Sequence, residues 1–372
     1  MIALFWLSVL FVAYTYVGYP LLVWFLSRLQ PALPPGTPQQ WPGVSVVVPF
    51  CNEPARVAEK LATLRAQDYA GAMQIIFVSD GEEDDTAQAV RACAEQGVSP
   101  LVLPARAGKP SALNAALPLI RHELVLFSDA RQQLATDALR RLVCRIQHPD
   151  VAAVSGELVL LDDQDRARIG LYWRYEKWIR QAESRFASVP GVTGALYLIR
   201  REYVRTLPAD TLLDDFDMPL PALHDRKRVL FEAGAQVFDR VAEDMAREKA
   251  RKVRTLTGNF QSFLRHPWLF SPAANPIWWQ FMSHKVARLL VPYALLLLLA
   301  LPVLIGTPFY LAVFAAQLAF YFLAFGNARR WPLCSNPVAA LARLFTELNL
   351  AAVQAAWQYW RGAVDARWER TA

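Results

Sequence analysis

Two stretches without any charged residue constrain the fold of this chain more than any other feature of its sequence. They are residues 1–27 and residues 289–328. Because about 20 apolar residues span the hydrocarbon core of a bilayer as a helix, the first stretch is long enough for one crossing and the second for two, separated by a turn near Gly306. We therefore expect transmembrane helices over residues 1–27, 289–306 and 308–328.

The sequence around these stretches indicates their orientation. The N-terminal stretch lacks the basic start and the small-residue cleavage site of a signal peptide, so we interpret it as an uncleaved anchor. Basic residues follow the first crossing, precede the second and follow the third: Arg28, Lys285, Arg288, Arg329 and Arg330. Since basic loops stay in the cytoplasm, we expect Met1 outside the membrane and residues 28–288 inside.

The composition agrees with a cytoplasmic domain attached to a membrane. The chain has 372 residues, of which 54% are hydrophobic and 19% are charged, and a membrane-embedded part explains this apolarity. The four cysteines are scattered without a CxxC pair, which indicates free thiols in a reducing compartment. The net charge of +6 lies largely beside the membrane segments, so it favours anionic lipid or phosphate partners and no nucleic acid.

A folded domain is predicted after the first crossing. Residues 28–43 are rich in proline and predict a stiff linker. Short aliphatic runs then alternate with helical segments, which predicts an α/β domain with a mostly parallel sheet and helices on both faces. The first four strands are predicted over residues 44–49, 74–79, 100–104 and 123–128. Sheets of this kind bind ligands at the carboxyl ends of their strands.

Residues suited to ligand contact lie at the ends of three of these strands. In chain order they are Pro49, Asn52, Glu53, Asp80 and Asp129. Any single acid or amide here could be a helix cap, since Asp and Asn favour that position. Together they are suited to binding a nucleotide and a hard divalent cation, which prefers oxygen ligands.

A glycine and a lysine precede the next predicted helix, in GKPSALNAAL (108–117). Helix amides and an ammonium group both attract anions, so Lys109 is suited to a phosphate. The spacing is not that of a P-loop, and a surface lysine explains the pair equally well when it is taken alone.

The pattern changes beyond residue 150. Strands of mixed direction are predicted over residues 151–161, 194–201 and 228–239. In the basic helix that follows, Arg247, Arg251 and Arg254 fall on one face at i, i+4 and i+7. Guanidinium groups match phosphate geometry, although a solvated or lipid-facing helix is the alternative. The folded domain is thus expected to cover residues 44–264.

Two further segments are expected at the membrane surface. Residues 265–288 are aromatic and basic, which predicts an interfacial helix before the second crossing. Residues 336–372 contain an amphipathic stretch with Arg343 and Glu347 inside it. This pattern favours a membrane-associated helix and tail over a further crossing.

The segment TLLDDFDMPL (211–220) places Asp214, Asp215 and Asp217 among apolar neighbours. A helix cap, a metal site and a catalytic base are the three interpretations. A carboxylate in apolar surroundings has a raised pKa and is a better base, and Asp215 has that setting. Asp214 would raise the pKa of Asp215 further by like-charge repulsion, and Asp217 is interpreted as a supporting residue.

Seven blocks of this sequence, taken in order, resemble one known family. The blocks are VSVVVPFCNE, IIFVSDGEEDDT, GKPSALNAAL, LVLFSDA, VTGALYLIRRE, TLLDDFDMP and RKVRTLTGNFQ. They resemble the family 2 glycosyltransferases, which have the Rossmann-like GT-A fold. The last three blocks resemble the processive membrane branch of that family, which makes cellulose, hyaluronan and poly-N-acetylglucosamine.

The resemblance implies a role for each matching residue. Asp80 is similar to the family aspartate that binds uracil or ribose, with Glu53 near the base. Asp129 is similar to the first acid of the DxD motif, which reaches the diphosphate through Mg²⁺ or Mn²⁺. Asp215 is similar to the aspartate of the TED block, which is the general base, and Asp214 replaces the glutamate of that block.

The resemblance also implies contacts on the acceptor side. Arg251 and Arg254 resemble the basic pair of the QxxRW block, which contacts the leaving diphosphate or the acceptor. Thr193 and Gly194 lie in PGVTGALY (190–197), which resembles the acceptor-side loop, and a plain turn into a strand is the alternative. The implied partners are a nucleotide sugar, expected to be a UDP-sugar, a saccharide or lipid-linked acceptor, and membrane lipids.

This sequence departs from the family pattern at two places. Arg131 stands where the second acid of the DxD motif is expected, so metal binding would depend on Asp129 with phosphate oxygens, water or another residue. In the QxxRW block Arg251 replaces the glutamine and Thr255 replaces the tryptophan. That tryptophan is associated with holding the acceptor sugar, so the departure leaves the acceptor and processivity open.

We therefore expect a membrane-anchored inverting glycosyltransferase of polysaccharide or glycolipid synthesis. It would lie in the bacterial inner (plasma) membrane with its catalytic domain in the cytoplasm. One alternative is the transfer of a single sugar to a polyprenyl-phosphate-linked or other lipid acceptor. Another is an inactive homologue that scaffolds a polysaccharide synthase, which Arg131 and Thr255 favour. Because three crossings form no wide channel, polymer export would need a homo-oligomer or polysaccharide-export partners.

Overall fold

The computed structural model describes residues 1–81, 85–162, 170–240 and 245–362. The chain divides into two compact units. We call the first the membrane unit, and it comprises Met1–Leu22, Asp244–Phe260 and Trp279–Val364. The second, the sheet unit, comprises Val23–Glu243 and Gln261–Trp278, together with the C-terminal tail.

The sheet unit contains one mixed sheet of eight strands. The strands are β1 (Val44–Phe50), β2 (Met73–Ser79), β3 (Val98–Val102), β4 (Leu124–Phe127), β5 (Gln133–Leu134), β6 (Val151–Leu161), β7 (Tyr197–Arg200) and β8 (Arg228–Arg240). Their spatial order is β3-β2-β1-β4-β7-β6-β8-β5. The first four pair in parallel, whereas β7 is antiparallel to both β4 and β6. This arrangement confirms the prediction of a Rossmann-like α/β sheet followed by strands of mixed direction.

Helices precede, connect and follow these strands. They are α1 (Ile2–Leu29), α2 (Pro54–Arg65), α3 (Asp85–Ala92), α4 (Lys109–Ala116), α5 (Ala138–Ile146), α6 (Leu171–Phe186), α7 (Asp214–Asp217), α8 (Leu220–His224), α9 (Met245–Arg265), α10 (Trp278–Ile305), α11 (Pro308–Ala328) and α12 (Pro337–Trp360). The helices α1 and α10 each include a π-helical turn.

The centre of the sheet is buried on both faces, as its continuous aliphatic runs require. Every residue of β1 and β4 is buried. Val46 and Leu126 share one hydrophobic cluster with Leu61 of α2 and Leu142 of α5, while α4 packs against β1 and β2. Since burying one such side chain contributes about 1.5–3 kcal/mol, this core holds the loops at the strand ends in place.

The membrane unit contains helices suited to a bilayer. Three helices, α1, α10 and α11, are long and apolar enough to cross a membrane. Within this unit Phe5, Leu301 and Tyr310 form a small buried cluster. Gly306 ends α10 in the left-handed region, with φ of 71°, and so makes the sharp turn before α11. These features indicate a membrane-associated protein.

The predicted boundaries near the membrane stay predictions. The segment 265–288 holds the last residue of α9, a 3₁₀ turn over Pro267–Phe270 and the start of α10. In the segment 336–372 the structure has α12, and residues 363–372 lie outside the described part of the chain. All four cysteines are free, as their spacing predicts.

Candidate active site

Parallel pairing aligns the carboxyl ends of three strands at one edge of the sheet. The register pairs Phe50 at the end of β1 with Ser79 at the end of β2, and β4 runs parallel on the other side of β1. The predicted residues that directly follow these ends, Asn52, Glu53, Asp80 and Asp129, therefore emerge from the same edge of the sheet. We call this edge the strand-end rim.

The residues at and after the end of β1 have defined backbone conformations and hydrogen bonds. Pro49 lies inside β1, buried and paired with Val78 of β2. Asn52 has a φ of 56°, a left-handed conformation that asparagine tolerates. The backbone N–H of Glu53 donates to Oγ1 of Thr86 at 2.9 Å. Burial raises the pKa of Glu53, although nearby guanidinium groups oppose the rise.

Asp80 organises the loop that leads to Lys109. Its Oδ1 accepts from the N–H of Ala107 at 2.7 Å, and its Oδ2 accepts from the N–H of Gly108 at 2.9 Å. The residue is only 4% exposed, so these charge-assisted hydrogen bonds are strong. Gly108 adopts a φ of 91°, which favours glycine at this position. The loop is thereby fixed immediately before α4.

Lys109 joins two of the predicted acids. Its Nζ lies 2.7 Å from Oδ1 of Asp129 and 2.9 Å from Oδ2 of Asp214. Burial alone would lower the pKa of Lys109, but the carboxylates of Asp129, Asp214 and Asp215 outweigh it and raise that pKa. The side chain is therefore a firmly charged ammonium group, and it bridges the end of β4 to the short helix α7.

Asp215 is held by the loop that precedes β7. Its Oδ2 accepts from the N–H of Gly194 at 2.9 Å, and its backbone carbonyl accepts from the N–H of Val192 at 3.3 Å. Burial and the neighbouring Asp214 raise the pKa of Asp215 to about 6, although Lys109 and the Gly194 amide lower it. This confirms the expected direction of the shift and its two expected causes. The group is thus poised to exchange a proton near neutral pH.

A network behind this loop was not predicted from the sequence. Nη2 of Arg180, on α6, donates to Oγ of Ser155 at 2.9 Å, and that oxygen also accepts from the N–H of Thr193 at 3.0 Å. Arg180 also contacts the carbonyl of Gly191 at 3.4 Å. Arg180 and Asp215 therefore hold opposite sides of one loop, residues 191–194. Burial lowers the pKa of Arg180, and Asp215 is among the carboxylates that counteract this.

Arg131, at the position of the missing DxD acid, forms an ion pair with a buried carboxylate. Its Nη2 lies 2.6 Å from Oδ2 of Asp239 near the end of β8, and Nε2 of Gln132 donates to the same oxygen at 2.9 Å. The side chain of Asp239 is 2% exposed, whereas that of Arg131 is 40% exposed. The substitution is therefore accompanied by a local partner that anchors the loop after β4.

A buried lysine, Lys60, also donates hydrogen bonds to the loop after β4. Nζ of Lys60, on α2, donates to Oγ of Ser128 at 2.7 Å and to the carbonyl of Gln132 at 2.8 Å. Burial lowers the pKa of Lys60 to about 7, and the charge of Asp129 opposes that shift. Residues 128–132 are thus held from α2 and from β8 together, which leaves Asp129 in a defined place.

The residues at the strand-end rim could hold a divalent cation only if a bound ligand supplied further oxygen atoms. In the described ranges, no three His, Cys, Asp or Glu side chains are grouped closely enough to hold a metal ion. Asp129 is a partly exposed carboxylate that already pairs with Lys109. Mg²⁺ commonly takes one or two carboxylates together with substrate phosphates and water. The donor set therefore suits a cation that arrives with a diphosphate.

Not every predicted site residue belongs to this cluster. Lys109, Asp129, Asp214, Asp215 and Gly194 meet in the sheet unit. In contrast, Arg251 and Arg254 lie on α9 within the membrane unit, so their contact with phosphate stays a prediction. The side chain of Arg247 lies outside the described part of the chain. Thr255, at the place of the family tryptophan, donates its hydroxyl to the Arg251 carbonyl at 3.0 Å.

Comparisons with known proteins bear on the family of this chain. The profile of "Glycosyl transferase family 2" matches residues 45–207. An N-acetylglucosaminyltransferase of Mesorhizobium japonicum is 32% identical over 182 residues, which is 46% of this chain and 43% of that relative. An N-acetylglucosaminyltransferase of Bradyrhizobium elkanii is 38% identical over 122 residues, which is 32% of this chain and 67% of that relative. The chain thus spans less than half the length of the first relative.

A solved structure shows the same fold. It is a mannosyltransferase from Pyrobaculum calidifontis in complex with GDP-Man and Mn²⁺, with a TM-score of 0.74 and 24% identity, covering 97% of this chain and 100% of its own. This likeness identifies the fold of the sheet as GT-A. The processive branch stays a prediction. Since the family profile and the B. elkanii relative match on sequence, the chain belongs to glycosyltransferase family 2.

Proposed function

We propose that this protein is an inverting glycosyltransferase that moves N-acetylglucosamine from a nucleotide donor, expected to be UDP-linked, to a saccharide or lipid-linked acceptor. The observation that carries the proposal is Asp215. It is a partly buried carboxylate with its pKa raised to about 6, close to the Lys109 bridge between Asp214 and Asp129. The relatives of this chain are N-acetylglucosaminyltransferases, which supports the choice of sugar.

Asp215 acts as the general base of the transfer. Its carboxylate takes the proton of the acceptor hydroxyl while that oxygen forms a bond to the anomeric carbon of the donor sugar. The bond between this carbon and the diphosphate oxygen breaks on the opposite side, so configuration inverts. A base with a pKa of about 6 is largely deprotonated at neutral pH and yet basic enough to accept the proton. Asp214 keeps the pKa of Asp215 high by like-charge repulsion.

Lys109 stabilises the departing diphosphate. Its ammonium group is charged and held at the rim by Asp129 and Asp214, so it meets the negative charge that develops on the leaving oxygen. A divalent cation, Mg²⁺ or Mn²⁺, would be held by Asp129 with the diphosphate and would neutralise the same charge. Arg251 and Arg254 are proposed to contact the diphosphate or the acceptor, because guanidinium groups pair well with phosphate.

The nucleoside and the acceptor are assigned to opposite sides of this cluster. We assign the nucleoside to the part of the rim bordered by Pro49, Asn52, Glu53 and Asp80. The acceptor approaches from the loop with Thr193 and Gly194. A Cβ on Gly194 would lie 3.2 Å from Nζ of Lys109 and 3.4 Å from Oδ2 of Asp215, so glycine lets this loop approach both groups closely.

The membrane helices suggest where the acceptor comes from. Three candidate crossings support a multi-pass protein of the bacterial inner membrane with its catalytic domain in the cytoplasm. A growing polysaccharide or glycolipid fits this location. Transfer of one sugar to a lipid-linked acceptor is the second candidate. It is favoured by the exposed Thr255, which replaces the tryptophan that is associated in the family with holding the acceptor sugar.

The test is release of nucleoside diphosphate by the purified full-length protein in nanodiscs. Wild type is supplied with UDP-N-acetylglucosamine and Mn²⁺ or Mg²⁺, alongside UDP-, GDP- and dTDP-sugars as alternative donors. Asp215→Asn should reduce release by about 10³-fold or more, since it removes the base. Asp150→Asn is the matched control, because that carboxylate is 63% exposed on the same unit.

Two outcomes would contradict the assignment. An Asp215→Asn protein that turns over like wild type would exclude Asp215 as the base. A folded wild type that is inert with every donor would favour the inactive scaffold. Chromatography of the product distinguishes the two acceptor classes, because a polymer elutes as a series of lengths and a single transfer as one species.

A further inference from the structure

A cavity of about 580 Å³ opens in the sheet unit away from the strand-end rim. Its walls come from the loop after the 3₁₀ turn Arg201–Tyr203, from α7 and α8, and from the chain between the end of α9 and Trp268. All of these segments belong to the sheet unit. Its volume lies in the range of about 300–1,000 Å³ that small-molecule sites occupy.

Asp217 lies in the wall of this cavity and faces away from the rim. On the helix α7 it follows Asp215 by two residues, which places it about 200° around the helix axis. Its side chain is only 4% exposed. Among the residues that the structure describes, Oδ1 of Asp217 has no hydrogen-bond partner. Nε2 of the His266 imidazole, whose pKa is lowered by burial, is 3.9 Å away.

A buried carboxylate oxygen without a hydrogen bond, as Oδ1 of Asp217 is, favours a ligand that donates one. A buried acceptor without a partner loses its hydration and gains nothing in return. The terminal torsion of aspartate is soft, so the carboxylate can turn either oxygen of Asp217 towards the cavity. Burial also raises the pKa of Asp217, although the nearby Ser262 hydroxyl and the charges of His266 and Arg265 oppose the rise. A hydroxyl group from a ligand would supply the missing hydrogen bond.

The rest of the wall favours a neutral ligand with an apolar face. The rings of Trp268 and His224 meet edge to face at 5.0 Å, and Leu220 lies beside them in the wall. The formal charges in the wall balance, since two arginines, Arg205 and Arg265, line it together with two aspartates, Asp217 and Asp225. The guanidinium group of Arg265 is already engaged by Asp210 at 2.5 Å.

These features match a saccharide better than an anion. A pyranose presents hydroxyl groups at its edge and C–H groups on its face, and C–H groups pack well on the electron-rich face of an aromatic ring. A phosphate would meet the buried carboxylate of Asp217 and be repelled by it. The donors needed for the other sugar hydroxyls are present in Arg205 and Thr206.

We infer that this cavity is a second saccharide site, distinct from the donor rim, which holds a neutral segment of the glycan that the protein extends. The inference rests on the proposed function for the identity of that glycan. Asp217 accepts a hydrogen bond from a sugar hydroxyl, and Trp268 packs against the face of the ring. Because α7 carries Asp215 on one side and Asp217 on the other, the retained glycan lies within one helical turn of the base.

The experiment measures binding of neutral oligosaccharides to the full-length protein in nanodiscs by calorimetry. The probes are tetramers of N-acetylglucosamine, glucose and mannose, and inorganic phosphate is the anionic comparison. Wild type should bind at least one tetramer and should not bind phosphate at this site. Asp217→Asn and Trp268→Ala should each weaken tetramer binding by about tenfold or more, while the affinity for UDP changes less than about twofold.

Matched controls keep the result interpretable. Asp150→Asn and Trp173→Ala change exposed residues of the same types on the same unit, and both should bind the tetramer as wild type does. If Asp217→Asn fails to fold, Trp268→Ala decides, because the side chain of Trp268 is only half-buried and its removal disturbs the fold less.

The failures of the two proposals are distinguishable. Wild type that binds UDP but no tetramer overturns the second site and leaves the transferase intact. Tetramer binding that survives both cavity variants but is lost in Lys109→Ala also overturns it, because the sugar then binds at the rim. If wild type binds phosphate and Trp268→Ala does not, the cavity binds an anion, and the assignment of a saccharide is wrong. A protein that binds the tetramer but no nucleotide supports the cavity and contradicts the transferase.

Discussion

The protonation state of Asp215 governs the expected dependence of turnover on pH. Burial and Asp214 raise the pKa of Asp215 to about 6, and only the deprotonated carboxylate can accept the acceptor proton. We therefore expect kcat/KM to rise with pH, with an apparent pKa near 6, and to level off at higher pH. The measurement is release of UDP between pH 4.5 and 8.5.

Asp214→Asn provides the control for this profile. It removes the like charge that raises the pKa of Asp215, while Lys109 keeps its ion pair with Asp129 and still lowers that pKa. The acid limb should move to lower pH. A wild-type limb near pH 4, the ordinary range of aspartate, would contradict the assigned cause.

The raised pKa of Asp215 also predicts an effect on stability. A group whose folded pKa lies above its unfolded value stabilises the fold below the unfolded pKa, and this contribution is lost as the pH rises through the folded pKa. For Asp215 that window runs from about 4 to about 6. By pH 7 the ionised carboxylate therefore costs the folded state on the order of 3 kcal/mol.

Asp215→Asn should consequently abolish turnover and yet raise the Tm at pH 7.5, with a smaller rise at pH 4. Thermal unfolding of both proteins at the two values of pH is the measurement. A variant less stable than wild type at pH 7.5 would show that the hydrogen bond from Gly194 outweighs the cost of the charge.

Arg180 is predicted to position the base without touching the substrate. It holds residues 191–194 through Ser155 and through the carbonyl of Gly191. Arg180→Lys keeps the charge but cannot span both partners, so kcat should fall about 10–100-fold. The KM for the donor should change less than about twofold, because the rim residues are unaffected.

The Ser155→Ala variant should reproduce part of this loss, since it removes the atom that links Arg180 to Thr193. Arg140→Gln, at an arginine whose side chain is 46% exposed, should behave as wild type. A loss that appears in KM alone would assign Arg180 to donor binding instead of positioning.

At the level of elements, those with strong local patterns could be predicted. The strands β1, β2 and β4 are runs of aliphatic residues that a buried sheet requires, and β6 has the predicted bounds 151–161. The strand β5 was missed, because two residues show no period. The loops that carry Asp80, Lys109 and Asp129 could be found from their place after strands, which follows from topology.

The supporting contacts could not be predicted, because they join distant parts of the chain. Lys60 and Ser128 are 68 residues apart, and Arg131 and Asp239 are 108 apart. One signal was available for Lys60, which falls on the apolar face of α2 three residues after Val57. The hydrogen bonds of Arg180 depend on how α6 lies against β6, and periodicity does not contain that information.

The loop over residues 191–194 packs closely against Lys109 and Asp215, and adding one methyl group at Gly194 tests this packing. A Cβ on Gly194 would lie 3.2 Å from the flexible end of Lys109 and 3.4 Å from Oδ2 of Asp215. Gly194→Ala should therefore leave the Tm within about 2 °C of wild type and reduce kcat about tenfold, since Lys109 must shift beside Asp215.

The matched control is Gly170→Ala, because a Cβ there would meet no atom within 4 Å among the described residues. Turnover and thermal unfolding of the two variants are compared side by side. Wild-type activity in Gly194→Ala would show that the acceptor side of the site is more open than the distances indicate.

At the scale of the whole molecule, the membrane restricts the backbone conformation of the apolar stretches. Uncharged stretches must be helical in a bilayer, since every backbone polar group needs an internal partner there. This is why α1, α10 and α11 could be expected from composition alone. Their orientation rests on the basic residues at their ends, and those residues make a prediction about the two sides of the membrane.

The proposed orientation places the turn between α10 and α11 outside, and the sheet unit and Cys334 inside. Single cysteines test this in the full chain, by labelling spheroplasts with a membrane-impermeant maleimide. The native cysteines should stay unlabelled in intact spheroplasts, because the proposed orientation places all four inside. Thr307→Cys, in the exposed turn, should be labelled at once. Asp150→Cys, at an exposed position of the sheet unit, should be labelled only after lysis, and its labelling in intact spheroplasts would reverse the orientation.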